Sequence, residues 1–243
     1  MGIAAASTEP ARVRPHEFGS VPAAIGITGA MVLIVVVEST GFADGHVALL
    51  FGYLCVWVPL LGAVVAAGRH RGRGFWVRDL RLSVHPIDLI WGLAIGLLAR
   101  TATSLIEILG YGSVGSAGVR FGEPAYDGWW FFGALLAPVL LAPFVEEVFF
   151  RGLLLRAVYS RANAHGAQRG AVSIALGVSG LTFALLHLMP LDLSSPATVA
   201  VVGSSTLIFG LAAAGVSLAT GRIGAAIVAH VTFNALVIVP ALL

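Results

Sequence analysis

The stretch PFVEEVFFRG, residues 143–152, places two adjacent carboxylates and an arginine inside a long apolar run. On insertion scales an ionisable side chain near the middle of a bilayer costs about 2.5–3.5 kcal/mol, so such residues face a protein interior or a water-filled cavity. Glu146, Glu147 and Arg151 therefore predict a helix that is packed inside a bundle, and they require a structural or chemical reason for their presence.

The rest of the chain has the composition of an integral membrane protein. Of its 243 residues, 58% are hydrophobic and only 11% are charged, and the mean hydropathy of +0.95 excludes an ordinary soluble domain. We expect a polar tail at 1–20, which leads into a signal anchor, and one membrane-embedded helical domain at 21–243. The single cysteine, Cys55, has no partner in the chain for a disulfide.

A helix needs about 20 apolar residues to cross about 30 Å of hydrocarbon. By this rule the sequence predicts an all-α, polytopic membrane helical bundle of seven spans, or eight if one of them is broken. The candidate spans lie near 21–40, 47–67, 87–109, 129–155, 171–189, 197–219 and 223–242.

The charges predict the orientation of these spans. All fourteen basic residues are arginine, and most of them lie at alternate span ends, which the positive-inside rule assigns to the cytoplasm. We therefore expect a multi-pass protein of the cell membrane with its N terminus in the cytoplasm and its C terminus outside. The pI of about 9.1 reflects this topology and indicates no nucleic-acid partner. The opposite ends carry Asp44, Glu123, Asp127 and Asp192 against a lone Arg120.

Helix geometry separates the roles of the two glutamates. Glu147 and Arg151 are one turn apart, in the order that favours an ion pair. Each residue advances about 100° around a helix, so Glu146 points about 140° away from Arg151 and has no local cation. It remains free to exchange a proton, as a general base does. The alternative, in which both carboxylates only hold helices together, stays open at this point.

Other unusual residues in the spans receive structural interpretations. Arg100 and Glu107 lie about two turns apart on one helix face, which favours a structural ion pair outside the site. Glu38 lies near a span end and can reach the interface. Gly92 and Gly96 form a small-xxx-small pair that allows two helices to approach closely.

Two later spans add polar groups at helical spacing. His230 and Asn234 are four residues apart and share a helix face, as do Phe183 and His187. Together with Glu146 they supply a base for water, imidazoles that hold the water or a metal ion, and a donor for an oxyanion. This combination is typical of a hydrolytic site.

The three segments together resemble the motifs of the CPBP family of intramembrane endopeptidases, the CAAX-prenyl-protease and bacteriocin-processing (Abi) proteins. The resemblance covers about 129–240, and the first three spans add no motif. The motifs read Glu146-Glu147-Val-Phe-Phe-Arg151, Phe183-Ala-Leu-Leu-His187 and His230-Val-Thr-Phe-Asn234.

The resemblance implies a bundle with a water-filled polar cavity that faces the cytoplasm, and a protease that cuts a membrane-associated or prenyl-like C-terminal peptide. It implies that Glu146 and His187 activate water and that His230 and Asn234 stabilise the oxyanion. Residues that would shape the site are Glu147, Arg151 and Phe183.

The cofactor and the substrate stay open. The family is commonly described as metalloproteases, and Glu146, His187 and His230 could hold zinc, but no helical His-Glu-x-x-His is present and a metal-free mechanism is favoured. The expected partners are the lipid bilayer and a membrane-bound peptide or protein. All-arginine usage and high alanine content suggest a bacterial origin, for which peptide maturation or immunity is more plausible than prenylated tails.

The depths of the two histidines along their helices do not agree with a shared site. At about 1.5 Å per residue, His230 lies about 10 Å from the cytoplasmic end of its helix, but His187 lies about 24 Å from a helix start at 171. A tilted or short fifth helix, or a deep cavity, would reconcile the two.

Two other functions remain as alternatives. A proton-coupled transporter would also bury acids and histidines, but it should show broken spans in two related halves, which the sequence lacks. A non-catalytic immunity or scaffold membrane protein could retain the same bundle.

Overall fold

A computed structural model describes residues 19–40, 45–69, 74–114, 127–164, 168–191 and 193–242. The residues it describes are all-helical, without strands. Residues 1–18 of the polar tail predicted at 1–20 lie outside the described residues. Several charged residues of the connecting segments also lie outside them.

Seven helices are long and apolar enough to cross a membrane, which confirms the seven predicted spans among the described residues. A short π-helical turn at Phe75–Asp79 precedes the third. The helices are α1 Ser20–Thr40, α2 Gly45–Gly68, α3 Pro86–Tyr111, α4 Gly128–Asn163, α5 Gln168–Leu188, α6 Pro196–Thr220 and α7 Gly224–Leu242.

Helix α4 occupies the centre of the bundle. It packs against α1, α2, α5, α6 and α7, and the other large contacts join α1 with α2, α5 with α6, and α3 with both α6 and α7. Large apolar side chains such as Leu98 and Leu109 of α3 are exposed on the outside, as lipid-facing residues are. The residues of the central helix therefore have protein on most sides.

Helix α4 is not a regular α-helix. It has π-helical stretches at Phe131–Leu141 and Val148–Leu154, and an α-helical segment, Ala142–Glu147, lies between them. π-Helical turns are uncommon and occur frequently at functional sites. The two adjacent glutamates fall at the end of the α-helical segment.

Helix α7 is fixed mainly by α3. A Cβ atom added at Gly96 would lie 2.8 Å from the carbonyl oxygen of Ala229, so the backbones meet closely, as the small-xxx-small pair predicts. At the beginning of both helices, Arg222 Nε donates to the buried Asp88 carboxylate at 2.8 and 3.0 Å. These bonds raise the pKa of the Arg222 guanidinium above its ordinary value.

The close contact gives a test of the packing. Gly96→Ala should lower the free energy of unfolding by about 1–3 kcal/mol, because α3 and α7 must separate to admit the methyl group. The measurement is the thermal unfolding midpoint of the purified protein in detergent. Gly62→Ala is the matched control, since its added Cβ would meet no atom within 4 Å. Equal midpoints for the two variants would contradict this account.

Candidate active site

Glu147 and Arg151 form the predicted ion pair in the centre of the bundle. Arg151 Nη1 donates to Glu147 Oε1 at 2.9 Å, and both side chains are fully buried. Arg151 Nη2 donates to the carbonyl oxygen of Gly210 on α6 at 3.1 Å, and the guanidinium lies 4.6 Å from the ring centroid of Phe183. The arginine thus joins α4 to α5 and α6.

The same glutamate holds one of the histidines. His230 Nδ1 lies 2.8 Å from Glu147 Oε1, the oxygen that also accepts from Arg151. A carboxylate that is paired with an arginine accepts hydrogen bonds, so Nδ1 carries the proton and Nε2 points away from Glu147. Glu147 therefore fixes both the position of the ring and its tautomer.

Glu146 lies beside this network but forms no ion pair with an arginine among the described residues. Its Oε2 atom is buried and has no hydrogen-bond partner. His187 Nε2 lies 3.7 Å from this oxygen and His230 Nε2 lies 4.0 Å from it. The sequence prediction that Glu146 faces two imidazoles and lacks a cation of its own agrees with this geometry.

The tautomer of His187 follows from its second contact. Its Nδ1 lies 2.9 Å from the carbonyl oxygen of Phe183, which can only accept, so Nδ1 is the donor. In the neutral ring Nε2 then presents a lone pair to Glu146. A separation of 3.7 Å leaves room for a bridging water at about 2.8 Å from each atom.

Asn234 is positioned by an irregularity in α4. Its Nδ2 donates to the carbonyl oxygen of Pro138 at 2.8 Å. In the local π-helical register Ala142 N–H bonds to Ala137 O, so the next donor, for Pro138 O, would be residue 143. Residue 143 is proline, which has no N–H. Asn234 supplies the missing donor and keeps a second N–H on Nδ2.

The two histidines meet although they lie at different distances from the starts of their helices. His187 is about 28 Å along α5 and His230 is about 9 Å along α7. Both approach Glu146, so α5 and α7 must begin at different levels. Helix α4 likewise continues about 26 Å beyond Glu146, to Asn163. The discrepancy in the depth count came from the assumption that the helices share one starting level.

Phe183 lies at the centre of the assembled motifs. Its ring centroid is 4.3 Å from that of His187 and 5.6 Å from that of His230. Phe209, whose ring centroid lies 4.7 Å from that of His230, was not predicted from the sequence. Phe209 belongs to an unbroken apolar run in α6, so no local signal distinguished it.

Glu146 and His187 line a cavity of about 390 Å³. Its walls come from α1, α2, α4 and α5, so the first two helices contribute to the site although they carry no motif. Tyr53 lines the cavity and donates to the carbonyl oxygen of Gly133 at 3.0 Å, and its ring stacks on Trp57 at 4.9 Å. Most of the lining is apolar. Glu38, near the end of α1, also lines the cavity.

The zinc alternative can be compared with these distances. Two ligands of one tetrahedral zinc ion lie about 3.3 Å apart, given bonds of about 2.0 Å. The separations here are 3.7 and 4.0 Å. Within the described part of the chain no group of three or more His, Cys, Asp or Glu side chains is arranged to hold a metal ion.

The remaining pair of buried charges lies apart from the cavity. Arg100 Nη1 and Nη2 donate to the two carboxylate oxygens of Glu107 at 3.0 and 3.1 Å. This bidentate pair lies within α3, as predicted. Neither residue lines the cavity.

The fold and these residues together define a class of membrane-embedded hydrolase. Residues 128–236, which cover all three motifs, match the family model described as "Type II CAAX prenyl endopeptidase Rce1-like". This segment therefore carries a domain that matches the CPBP/CAAX protease family, as the motifs predicted, and the family implies a hydrolase, an intramembrane peptidase. No curated protein and no solved structure matches the chain.

The buried ion pair gives a stability prediction. Arg151→Met should lower the free energy of unfolding by about 3–5 kcal/mol, because it leaves Glu147 charged and without its arginine in the interior. The measurement is thermal unfolding in detergent. Arg169→Met, at an exposed site, should stay within about 0.5 kcal/mol of the wild type. A small effect of Arg151→Met would show that Glu147 does not depend on this pair.

Proposed function

We propose that the protein is an intramembrane endopeptidase in which Glu146 and His187 activate water and His230 and Asn234 stabilise the oxyanion. The observation that carries the proposal is the Oε2 atom of Glu146. It is buried, it lacks a hydrogen-bond partner, and two imidazole Nε2 atoms lie within 4.0 Å of it. Such an oxygen can accept a proton from a water molecule that His187 helps to hold.

The first step is the attack of water on the peptide carbonyl. The water oxygen forms the new bond to carbon, its proton passes to Glu146, and the lone pair of neutral His187 accepts a hydrogen bond from the same water. The carbonyl oxygen becomes an oxyanion. The free N–H of Asn234 and a protonated His230 are the donors for it.

The proposed donor role of His230 requires a proton on Nε2, because Nδ1–H already bonds to Glu147. With His230 as imidazolium, its charge and that of Arg151 balance Glu146 and Glu147, so the cluster carries no net charge in a low-dielectric interior. The Nδ1–H of the imidazolium stays on Glu147, and Nε2–H is available to the oxyanion. Collapse of the tetrahedral intermediate then breaks the C–N bond, and Glu146 returns the proton to the leaving amine.

The cavity supports a peptide substrate with apolar side chains, since most of the lining is apolar and Glu146 is part of that lining. The name of the matching family refers to prenylated C-terminal tails. The all-arginine usage suggests a bacterial origin, for which maturation of other membrane peptides is the more plausible activity. A product that ends in a prenylated cysteine would identify the first substrate class.

The central test is Glu146→Gln. It removes the base but keeps the size of the side chain, so cleavage should fall by at least about 10³-fold while the protein still inserts and folds. The measurement compares membrane peptides from cells that carry the wild type or the variant. Asp79→Asn, in the turn at Phe75–Asp79, is the matched carboxylate control. An unchanged peptide profile with Glu146→Gln would favour the scaffold alternative.

Metal removal tests the choice of mechanism. If Glu146 is the base and no metal takes part, o-phenanthroline or EDTA should change the cleavage rate of the purified protein by less than about twofold. Loss of activity with chelator and its recovery with zinc would replace the proposed roles of Glu146 and His187 by those of ligands.

A further inference from the structure

The residues that line the cavity extend from the middle of the bundle toward one end of it. Its outer residues are Glu38 near the end of α1, Ala48 and Leu49 near the start of α2, and Pro190 just after α5. Its inner end is Glu146, in the middle of α4. The end of α1, the start of α2 and the end of α5 lie on the same side of a bundle whose consecutive helices alternate in direction.

Five arginines at or near helix ends lie at the other end of the bundle. Arg69 follows α2, Arg78 and Arg81 precede α3, Arg169 lies at the start of α5, and Arg222 lies between α6 and α7. Ile223 N–H donates to Arg81 O at 3.1 Å, so two of these segments are in direct contact. We name this the arginine-rich end of the bundle.

The path from Glu146 toward the arginine-rich end is filled with side chains. Phe149, Phe150 and Leu153, which follow Glu146 on α4, are all fully buried, and so is Arg151. Phe150 packs edge-on against Phe183 with ring centroids 5.2 Å apart. These residues leave the opposite end as the open route to the catalytic oxygen.

We propose that the substrate enters from the membrane face opposite the arginine-rich end, which by the positive-inside rule is the outer face. The entry of a substrate presupposes the proposed peptidase function, whereas the accessibility of the cavity from one face does not depend on it. It disagrees with the cytoplasm-facing cavity that the family resemblance implies, because the arginine distribution and such a cavity cannot both hold for this bundle.

The outer end of the cavity, lined by Glu38, Ala48, Leu49 and Pro190 and called the mouth below, also favours a substrate of one charge. Glu38 is the acidic group at this end of the cavity among the described residues. Beyond Glu38 the walls are mainly apolar. A suitable substrate is therefore an apolar peptide segment with a positively charged group beside it, which would remain at the mouth near Glu38.

The route can be tested without any substrate, by thiol labelling. Gly52 lines the cavity, and a Cβ added there would meet no atom within 4 Å, so Gly52→Cys should fold normally. It is made in a Cys55→Ala background, which leaves one thiol. Val114→Cys marks the face of the cavity mouth and Arg169→Cys marks the arginine-rich end. The probe is the membrane-impermeant reagent trimethylammonium-ethyl methanethiosulfonate, with the mass shift as readout.

In intact cells Gly52→Cys and Val114→Cys should react, and Arg169→Cys should react only in inside-out vesicles. Reaction of Gly52→Cys only together with Arg169→Cys would overturn the proposed route, and so would no reaction from either face. Reaction of Arg169→Cys in intact cells would overturn the assignment of the outer face. None of these results depends on peptidase activity, so failure of the Glu146→Gln test is distinguishable from failure here.

A second arm tests the acidic mouth. At Gly52→Cys the cationic reagent should react about tenfold faster than the anionic sulfonatoethyl analogue, after correction for their rates with a free thiol. Adding Glu38→Gln should lower this ratio several-fold, whereas the ratio at Val114→Cys should not change. An unaltered ratio would overturn the role of Glu38. Modified Gly52→Cys should also stop producing the peptides that depend on Glu146.

Discussion

The carboxylate of Glu147 is the constraint on which the rest of the site depends. One of its oxygens accepts from Arg151 and from His230, and Arg151 in turn reaches the backbone of α6. A charge at this depth persists only with such partners, so the positions of three helices are linked through one buried group. Because Glu147 takes the arginine, its neighbour Glu146 is left with the two imidazoles. The two adjacent glutamates differ in role because only Glu147 lies one helical turn from Arg151.

Much of the architecture could be predicted from the sequence because the bilayer imposes a length on each apolar helix. All seven spans were found, but the fourth was predicted to end at 155 and continues to Asn163. Arg156 and Arg161 end the apolar run there without ending the helix. The ion pair within α4 was predictable because it depends only on local spacing. The meeting of Glu146, His187 and His230 was expected from the motifs, whereas the staggered helices that permit it are a product of tertiary packing.

The features that were missed involve partners far apart in sequence. Asn234 bonds to Pro138 because a proline five residues later removes the backbone donor. The two prolines were visible in the sequence, but the register that connects them was not. The contribution of α1 and α2 to the cavity carries no motif and rests on apolar side chains, and Phe209 is equally inconspicuous. The spacing of residues therefore predicted the chemical groups of the site, but it did not predict the shape of the cavity or the access to it.

The attachment of α7 to α3 has a consequence for how such proteins diverge. The region that matches the family, 128–236, includes most of α7, with His230 and Asn234, but excludes α3, whose glycines and Asp88 fix that helix. The recognisable segment is thus not a self-sufficient module. A chimera that transferred it alone would bring the reactive groups without the surface that seats them, and substitutions in α3 and α7 should accumulate as coordinated pairs during evolution.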